Sequence, residues 1–439
     1  MSINVIGAGL AGCEAAWQIA ARGEAVNLFE MKPTKFSPAH KSENFAELVC
    51  SNSLKAERLA SAAGLLKEEM RLLGSLLMQC ADVCKVPAGG ALAVDRDKFS
   101  ELVTRKIRSN PLINVVKQEI TDLPQDELTI VATGPLTSDS LAEKISNLCG
   151  GSLSFFDAAA PIIAAESIDM NHAFFASRYD KGDDNAYVNC PLNKEEYEAF
   201  YRELVAAQRA PIHDVDVQNP KVYEGCMPVE VMAQRGEDTL RFGPMKPVGL
   251  RDPKTGHRPW AVLQLRMENA EGTLYNMVGF QTNLKFSEQK RVFSMIPALK
   301  NADFMRYGVM HRNTFINSPE VLNADFSLQS NPKMFFAGQI TGVEGYMESA
   351  ASGIMAGINA VRRLKNESTL TLPKETMIGA LSHYVCEGSQ NEFQPMGANF
   401  GILPVLEVHI RDKKARYEAL ANRAINILKE SCDIYENNR

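Results

Sequence analysis

Two cysteines stand in polar surroundings where a thiol could do chemistry. Cys226 lies in KVYEGCMPVE, behind a glycine and two residues ahead of a proline, and Cys50 lies in ELVCSNSLK. Neither belongs to an apolar stripe. The thiolate form of cysteine is the nucleophile. Cys226 is therefore a candidate nucleophile, with three alternatives: a buried filler, half of a disulfide, or a metal ligand.

The residues after Cys50 predict a helix. Ser51, Asn52 and Ser53 are residue types that cap helix N-termini, and leucines follow at helical spacing. A thiol at a helix N-terminus, with Lys55 close in sequence, should ionise more readily than an ordinary cysteine.

The start of the chain and the cysteine spacing weigh against disulfides and metal sites. MSINVIGAGLAG lacks the basic start and cleavage site of a signal peptide, so we expect a cytoplasmic protein. The nine cysteines are irregularly spaced and are expected to be free thiols. Cys80 and Cys84 have no second pair or nearby histidine, which favours packing and predicts no metal. No run of eighteen apolar residues occurs, so no membrane span is expected.

The N-terminus carries a dinucleotide-binding motif. In INVIGAGLAGCEAAWQIAARG, a short apolar strand leads into Gly7, Gly9 and Gly12, spaced as G-x-G-x-x-G, and then into an alanine-rich helix. A second strand, AVNLFE, ends at Glu30. The glycines allow a tight turn, close approach of a pyrophosphate, and close packing of helix on strand, while the acidic residue accepts hydrogen bonds from a ribose.

Later segments favour a flavin over a simple nicotinamide enzyme. The strand ELTIVATG ends at Thr133 and Gly134, where a two-domain flavoprotein commonly returns to the nucleotide. A further strand leads to Gly338, a glycine-rich loop, and a small-residue helix from about Ser349. Such a helix can direct its N–H groups at a flavin or phosphate. Arg96, at a turn ahead of a helix, suits a phosphate or ribose contact. These features predict FAD.

The elements that must position these residues predict an α/β fold. We expect a Rossmann-like FAD-binding domain, with an inserted α+β domain and a helical C-terminal segment. The strand-then-helix pattern of AYVNCPLNKEEYEAFYRELVAAQR and the strand-like runs RPWAVLQLRM and GTLYNMVGF belong to the insertion. The predicted boundaries are 1–150 for the first part of the FAD domain, 151–327 for the insertion, 328–372 for the closing part, and 373–439 for the C-terminal segment.

The net charge of -6 excludes a generally basic nucleic-acid-binding surface but allows a local basic face. Two stretches could form one. RFGPMKPVGLRDPKTGHRPW carries Arg251, Lys254 and Arg258, and RDKKARYEALANR lies near the C-terminus. A solvated loop and a solvated helix face are the alternatives.

Long motifs resemble the folate- and FAD-dependent tRNA (uracil-5-)-methyltransferases. They are GAGLAGCEAAWQIA, ELVCSNSLK, YEGCMPVEVMAQRG, RFGPMKPVGL, YNMVGFQTNLKFSEQKRVF, GVMHRNTFINSP and FAGQITGVEGYMESAASG, spanning residue 3 to about residue 360. The relative that modifies the wobble uridine shares the glycine-rich N-terminus, but the SNSLK and CMPVE motifs are not expected of it.

This resemblance implies a reaction. A one-carbon unit from 5,10-methylenetetrahydrofolate would pass through FAD to C5 of the T-loop uridine in tRNA, with NAD(P)H as reductant. Because C5 of uracil is a poor nucleophile until something adds at C6, a thiolate suits that addition. The match assigns this addition to Cys226 and makes Cys50 the second functional thiol, beside the flavin.

The resemblance also implies contacts with folate and RNA. Tyr346 would stack on the pterin. Weaker candidates for polar contacts are Glu344 and His311, and Arg251, Lys254 and Arg258 would contact RNA phosphates.

Three alternatives stay open. The same chemistry could act on ribosomal RNA. Cys50 and Cys226 could instead form a dithiol in an NAD(P)H-dependent flavin oxidoreductase acting on a small molecule. The chain could also be a non-catalytic RNA-binding module with FAD as structural filler. The sequence leaves the oligomeric state open.

Overall fold

The structure is a computed structural model, which describes residues 2–151, 153–180, 187–210, 227–387 and 393–437. The strands, in chain order, are β1 (Ile3–Ile6), β2 (Val26–Glu30), β3 (Ser53–Ala56), β4 (Lys85–Val86), β5 (Ala91–Val94), β6 (Ile113–Lys117), β7 (Thr129–Val131), β8 (Leu153–Ala158), β9 (Ile162–Ala164), β10 (Phe174–Phe175), β11 (Tyr187–Leu192), β12 (Ala261–Met267), β13 (Leu274–Met277), β14 (Phe304–Arg306), β15 (Met310–Phe315), β16 (Ser327–Leu328) and β17 (Asn331–Phe336).

The α-helices, in chain order, are α1 (Leu10–Ala21), α2 (Ala62–Leu72), α3 (Leu76–Val83), α4 (Arg96–Ser109), α5 (Asp139–Leu148), α6 (Lys194–Ala206), α7 (Val229–Ala233), α8 (Thr239–Phe242), α9 (Phe286–Phe293), α10 (Ser318–Val321), α11 (Tyr346–Leu364), α12 (Met377–Glu387) and α13 (Lys413–Asn437).

The main sheet is of the Rossmann type. Its order is β16-β17-β7-β1-β2-β6, and β17, β7, β1, β2 and β6 run parallel. Only β16 pairs antiparallel, with β17. Because β16 and β17 come late in the chain and β17 lies beside β7, the chain leaves this sheet after β7 and returns to it at β16 and β17. This topology confirms the predicted α/β fold class.

Helices α1 and α11 pack against each other unusually closely. A Cβ added at Gly353 would lie 2.2 Å from the carbonyl oxygen of Ala11, and one added at Gly357 would lie 2.7 Å from that of Ala15. The two glycines are four residues apart, as are the two alanines, so a face of small residues meets a face of small residues. This contact fixes the N-terminus of α11 relative to the glycine motif at the start of α1.

A second sheet carries its own hydrophobic core. Its strands are antiparallel in the order β10-β11-β12-β13-β9-β14. The expected helix after β11 is present as α6, with Tyr197, Phe200 and Leu204 buried. The core of this unit comprises residues between 163 and 302, whereas the core around the main sheet comprises residues 3–149 and 315–428. The exact domain boundaries stay a prediction.

The helix predicted directly after Cys50 is wrong. Residues 53–56 form strand β3, which pairs with β5, and α2 begins only at Ala62, with the Ser61 side chain as its N-cap. Asn52 points into the protein, where its amide donates to Val94 O and Met267 O, so a residue type that often caps helices binds strand carbonyls here. Cys50 therefore does not lie at the N-terminus of the helix that follows it in the chain.

The C-terminal segment is helical in two parts. Helices α12 and α13 are separated by the described, mostly irregular residues 393–412, which include a short helical turn at Phe400–Ile402. Among the described residues, no helix is long and apolar enough to cross a membrane. The same residues contain no group of three or more His, Cys, Asp or Glu that could hold a metal ion.

A buried carboxylate anchors α12 to α2. Glu69, at 0% exposure, accepts hydrogen bonds from Met377 N at 2.7 Å and Ile378 N at 2.8 Å. Burial raises the pKa of Glu69 to about 8, although the two N–H donors oppose that shift. The folded protein therefore binds a proton at Glu69 that the unfolded chain releases near its ordinary pKa of about 4.3.

Glu69→Gln should alter how stability depends on pH. With its folded pKa raised, Glu69 stabilises the protein most at acidic pH, and this contribution falls as pH rises toward 8. The free energy of unfolding of the wild type, relative to that of the variant, should fall by about 1.4 kcal/mol per pH unit between pH 5 and 7.5. Urea unfolding across this range measures it. Glu68→Gln, with a side chain 42% exposed, is the control, and a pH-independent difference for Glu69→Gln would contradict the prediction.

Candidate active site

The glycine motif forms a tight turn with one open position. Gly7 has φ +98°, and a Cβ there would lie 2.7 Å from Ala132 O. A Cβ at Gly12 would lie 1.8 Å from Gly7 O, so both positions require glycine. At Gly9, the N-cap of α1, a Cβ would meet nothing within 4 Å. The free space at Gly9, beside a helix N-terminus, fits a pyrophosphate.

Glu30 is held rigidly at the end of β2. Its carboxylate accepts from Ala8 N at 2.9 Å and from Lys32 N at 2.9 Å. Glu30 and the glycine turn line one cavity, whose other walls include Gln118, Glu119, Ile120, Thr133, Thr137 and Ser138. An acidic group on one wall and a glycine turn on another are the arrangement that a dinucleotide requires.

The other residues that the sequence predicted at the nucleotide lie in three different places. Thr133 lines this cavity, and its hydroxyl lies 2.6 Å from that of Thr137, while Gly134 follows with φ +70°. Gly338, with φ +88°, donates its N–H to Ser352 in α11 and lies close to Ala11 of α1. Arg96 does not line this cavity and lies elsewhere in the protein, as described below.

A second cavity, of about 300 Å³, contains Cys50 and Tyr346. Tyr346 is the first residue of α11, and its hydroxyl oxygen accepts from Cys50 N at 2.7 Å and from Ser51 N at 3.1 Å. Burial raises the pKa of Tyr346 well above its ordinary value, so the side chain is a neutral phenol. The structure thus brings two sequence-predicted residues together across almost three hundred residues of chain.

Two arginines from the second sheet unit hold the Cys50 loop, which we define as residues 49–52. Arg306, in β14, donates to Val49 O at 2.9 Å. Arg266, in β12, donates to Asn52 Oδ1 at 3.0 Å and to Ser51 Oγ at 2.7 Å. Backbone or side-chain groups of all four loop residues are therefore bound by residues distant in sequence.

Arg96 lies beside this loop and is paired with Glu268. Its Nη2 is 2.5 Å from Glu268 Oε1, and both residues are buried. Burial by itself lowers the pKa of Arg96, but the nearby Glu268 carboxylate raises it above its usual value. Beyond this contact, neither the Arg96 guanidinium nor the Glu268 carboxylate has a hydrogen-bond partner among the residues described here.

The folate candidates Glu344 and Tyr346 line the same cavity, together with Lys55 and Glu348. Gln339 Nε2 donates to Glu344 Oε2 at 2.7 Å, and Lys55 forms an ion pair of 2.7 Å with Glu348. Glu348 Oε2 has no hydrogen-bond partner within the described part of the chain. These polar groups face a cavity whose remaining lining is largely apolar, as suits a flat heterocycle with a polar edge.

Cys226 lies outside the described residues, as does the side chain of His311, whose backbone pairs with Asp157 between β15 and β8. The structure does describe the chain just after Cys226. Val229 N donates to Gln281 O at 2.7 Å, and Gln281 lines the Cys50 cavity.

The predicted basic stretch forms an exposed loop ahead of β12. Arg251, Lys254 and Arg258 are all exposed, and Arg251 and Arg258 have no carboxylate partner among the described residues. Lys254 Nζ donates to Asn171 O. Arg258 lies between two hollows of about 520 and 650 Å³ and lines both. This loop and Arg266 lie at opposite ends of β12, about 20 Å apart.

Sequence reasoning missed Arg266, Glu268 and Arg306. One signal was present, because Arg266 places a charge in the mostly apolar strand AVLQLRM. A charge at a buried strand position needs a partner or a function. Arg306 had no comparable signal, since its short strand is only partly buried.

Comparison with known proteins decides the family. Residues 2–368 match the family model described as glucose inhibited division protein A. The chain is 62% identical over 434 residues to the methylenetetrahydrofolate--tRNA-(uracil-5-)-methyltransferase TrmFO of Acetivibrio thermocellus, with 99% of each chain covered. It is 57% identical over 426 residues to the TrmFO of Enterococcus faecalis, with 97% of each covered. The chain belongs to the TrmFO family.

The solved structures agree with the fold. Aquifex aeolicus GidA in its form I crystal matches with a TM-score of 0.71 at 16% identity, covering 98% of this chain and 76% of that one. At this identity the match shows the fold alone. Together with the TrmFO relatives, it confirms the family, the enzyme class and the FAD-binding fold class predicted from sequence.

Tyr346→Phe should loosen the Cys50 loop while keeping the aromatic ring. The change leaves the N–H groups of Cys50 and Ser51 without their acceptor, at about 1–3 kcal/mol for a buried group. Hydrogen exchange of a peptide covering residues 49–52 should therefore speed up at least about ten-fold.

Tyr384→Phe is the matched control, because its hydroxyl donates only to Gln394 O at an exposed position. It should leave exchange in residues 49–52 unchanged. Equal exchange in the wild type and Tyr346→Phe would show that the tyrosine hydroxyl does not hold the loop.

Proposed function

We propose that this chain methylates C5 of the T-loop uridine in tRNA, with 5,10-methylenetetrahydrofolate as carbon donor and NAD(P)H as reductant, in the cytoplasm. The observation that carries the proposal is the cavity shared by Cys50, Tyr346 and Gln281. It lies where the Rossmann-type unit meets the second sheet unit, and both units contribute to its walls.

FAD fits the first cavity and the start of α11. Gly7, Gly9, Gly12 and Glu30 would hold the pyrophosphate and ribose, with Thr133 and Gly134 on the adjacent strand end. Gly338 would lie at the flavin side, where it meets α11. When bound, FAD supplies a redox centre that can carry carbon between folate and RNA.

The chain itself must activate the uracil. We propose that the Cys226 thiolate adds to C6, forming an S–C6 bond and moving the C5–C6 π electrons toward C5. After C5 has gained its carbon, loss of the C5 proton and cleavage of the S–C6 bond regenerate the thiolate. The link from Val229 to Gln281 supports this role, since it ties the chain following Cys226 to the wall of the cavity.

Tyr346 and Glu344 would bind the folate. A neutral phenol ring at the cavity wall can stack on a pterin, and a carboxylate oriented by Gln339 can accept hydrogen bonds from pterin nitrogens. His311 is a further candidate for polar contacts. A uridine in the tRNA elbow must be unstacked to enter, at a cost of a few kcal/mol.

The methylation test uses an unmodified tRNA transcript, 5,10-methylenetetrahydrofolate, NADPH and the FAD-loaded protein, with nucleoside mass spectrometry. We expect 5-methyluridine from the wild type and a loss of at least about a thousand-fold with Cys226→Ala, because nothing else would activate C5. Cys149→Ala, a buried thiol away from both cavities, is the control.

Each alternative has its own outcome in this test. NADPH oxidation without RNA methylation would favour a flavin oxidoreductase, and product on ribosomal RNA but not tRNA would move the target. RNA binding that survives both cysteine changes without any turnover in the wild type would favour a non-catalytic module.

The loop at residues 246–258 is the better of the two basic stretches for RNA phosphates. In the C-terminal stretch, Arg423 donates to Pro404 O and Val405 O, and Lys414 approaches Glu418 at 3.9 Å. In the loop, Arg251 and Arg258 keep their full charge toward solvent. Unpaired exposed guanidinium groups are the ones free to bind phosphates.

Replacing Arg251 and Arg258 together by Gln should weaken tRNA binding and reduce its salt dependence. Each lost phosphate contact removes nearly one unit from the slope of log K against log salt, so the slope should fall by about 1.5 to 2. Filter binding at several salt concentrations measures it. The control replaces Lys413 and Lys414, both exposed on α13. A slope that falls only in the control would place the RNA face on α13.

A further inference from the structure

Among the described residues, the Cys50 loop lies beside a partly buried excess of positive charge. Among the residues that the structure describes, the guanidinium groups of Arg96, Arg266 and Arg306 come together around one buried carboxylate, that of Glu268. Arg266 is 6% exposed and Arg96 is 9% exposed. A buried charge is costly unless it is paired, so this cluster requires a further negative charge.

The contacts of the cluster leave Glu268 as a carboxylate that Arg96 shares with Arg266 and Arg306. Arg266 and Arg306 donate to the neutral groups of the Cys50 loop, which orient these two side chains without neutralising them. Arg96 has its ion contact with Glu268, but beyond this contact none of its guanidinium nitrogens has a hydrogen-bond partner among the described groups. Cys50 and Tyr346 are close enough to Arg96 for a negative charge on either to interact with it.

Other charged groups around Cys50 do not cancel this excess. Lys55 and Glu348 form a pair of their own, and Glu344 is bound by Gln339. Glu47 interacts with Arg306, but it already has other partners. Its carboxylate accepts hydrogen bonds from the backbone N–H groups of Lys41 and Ser42 and lies 4.0 Å from the Lys32 ammonium group. Tyr346 is a neutral phenol, because burial raises its pKa. Opposing ionisation, the carbonyl of Ala158 lies 3.6 Å from Cys50 Sγ, where it accepts from the thiol.

We propose that the cluster formed by Arg96, Arg266, Arg306 and Glu268 is an anion site whose resident anion is the Cys50 thiolate. Folding transfers the thiol proton to solvent, and the sulfur charge neutralises part of the excess. Arg96 acts on the sulfur through its charge, and Arg266 and Arg306 act also by holding the loop; all three are positioning residues. The inference goes beyond the proposed function, because it concerns the state of Cys50 before any substrate binds.

This cluster takes the place of the helix N-terminus that the sequence predicted beside Cys50. Guanidinium groups that outnumber the carboxylates around a thiol favour its thiolate form, as a helix N-terminus would. A thiolate in the second cavity is then available as a nucleophile or a base without a separate proton acceptor.

The test is an infrared titration of the S–H band of Cys50 in the FAD-loaded protein, assigned by subtracting the spectrum of Cys50→Ser. The titration needs neither RNA nor folate. A normal cysteine midpoint would therefore overturn the Cys50 proposal even if the protein forms 5-methyluridine, and a low midpoint would support it even if the protein forms none. In the wild type the band should disappear with a midpoint at least one pH unit below the ordinary cysteine value of about 8.5. A midpoint at or above 8.5 would overturn the proposal.

Two substitutions of opposite sign separate charge from structure. Arg96→Met should raise the midpoint by about one pH unit, and Glu268→Gln should lower it, because one removes a cation and the other an anion. A purely structural role would shift both in the same direction or neither, and either result would overturn the proposal.

Two control variants, one that keeps the charge at residue 96 and one far from Cys50, accompany these substitutions. Arg96→Lys keeps the charge and should keep the wild-type midpoint, which distinguishes charge from packing if Arg96→Met folds poorly. Arg291→Met removes an exposed arginine paired with Glu203 and Glu288 and should have no effect. A shift in Arg291→Met as large as that in Arg96→Met would contradict a local origin.

Discussion

The loop that carries Cys50 is held from both structural units at once, and the geometry of the site depends on this. Tyr346, at the start of α11, accepts from two of its N–H groups, and Arg266 and Arg306 bind it from the second sheet. These contacts are not local, because the loop and its partners are more than two hundred residues apart in the sequence. They form because β17 returns beside β7 and because α11 packs closely on α1.

The same arrangement explains how one protein can bind a folate, a nicotinamide reductant and an RNA. The glycine turn and Glu30 form a nucleotide cavity on the Rossmann-type unit. The second unit contributes β12, which has Arg266 near one end and the exposed basic loop before the other. A large RNA can then contact the loop with its phosphates while one base reaches the cavity, because the two ends of β12 are about 20 Å apart.

Local sequence signals predicted the fold class and the nucleotide residues well. The spacing of Gly7, Gly9 and Gly12, and Glu30 at the end of the next strand, encode their positions through backbone geometry alone. The helix after Cys50 was wrong because Ser51, Asn52 and Ser53 are also suited to binding strand carbonyls and arginines, and only tertiary contacts decide between these uses. The arginine cluster was missed for the same reason, since its members come from separate strands and a helix. Arg96 was expected at the nucleotide and lies instead in this cluster, and its predicted contact with the cofactor remains a prediction.

The most direct test of this account is a double-mutant cycle that combines Tyr346→Phe with Arg266→Met, read out by the exchange free energy of the amides in residues 49–52. If both side chains hold one loop, the changes in exchange free energy caused by Tyr346→Phe and Arg266→Met should depart from additivity by at least about 0.5 kcal/mol. The changes caused by Tyr346→Phe and Tyr384→Phe should be additive. Additive effects for the first pair would contradict the central claim that the two units together position Cys50.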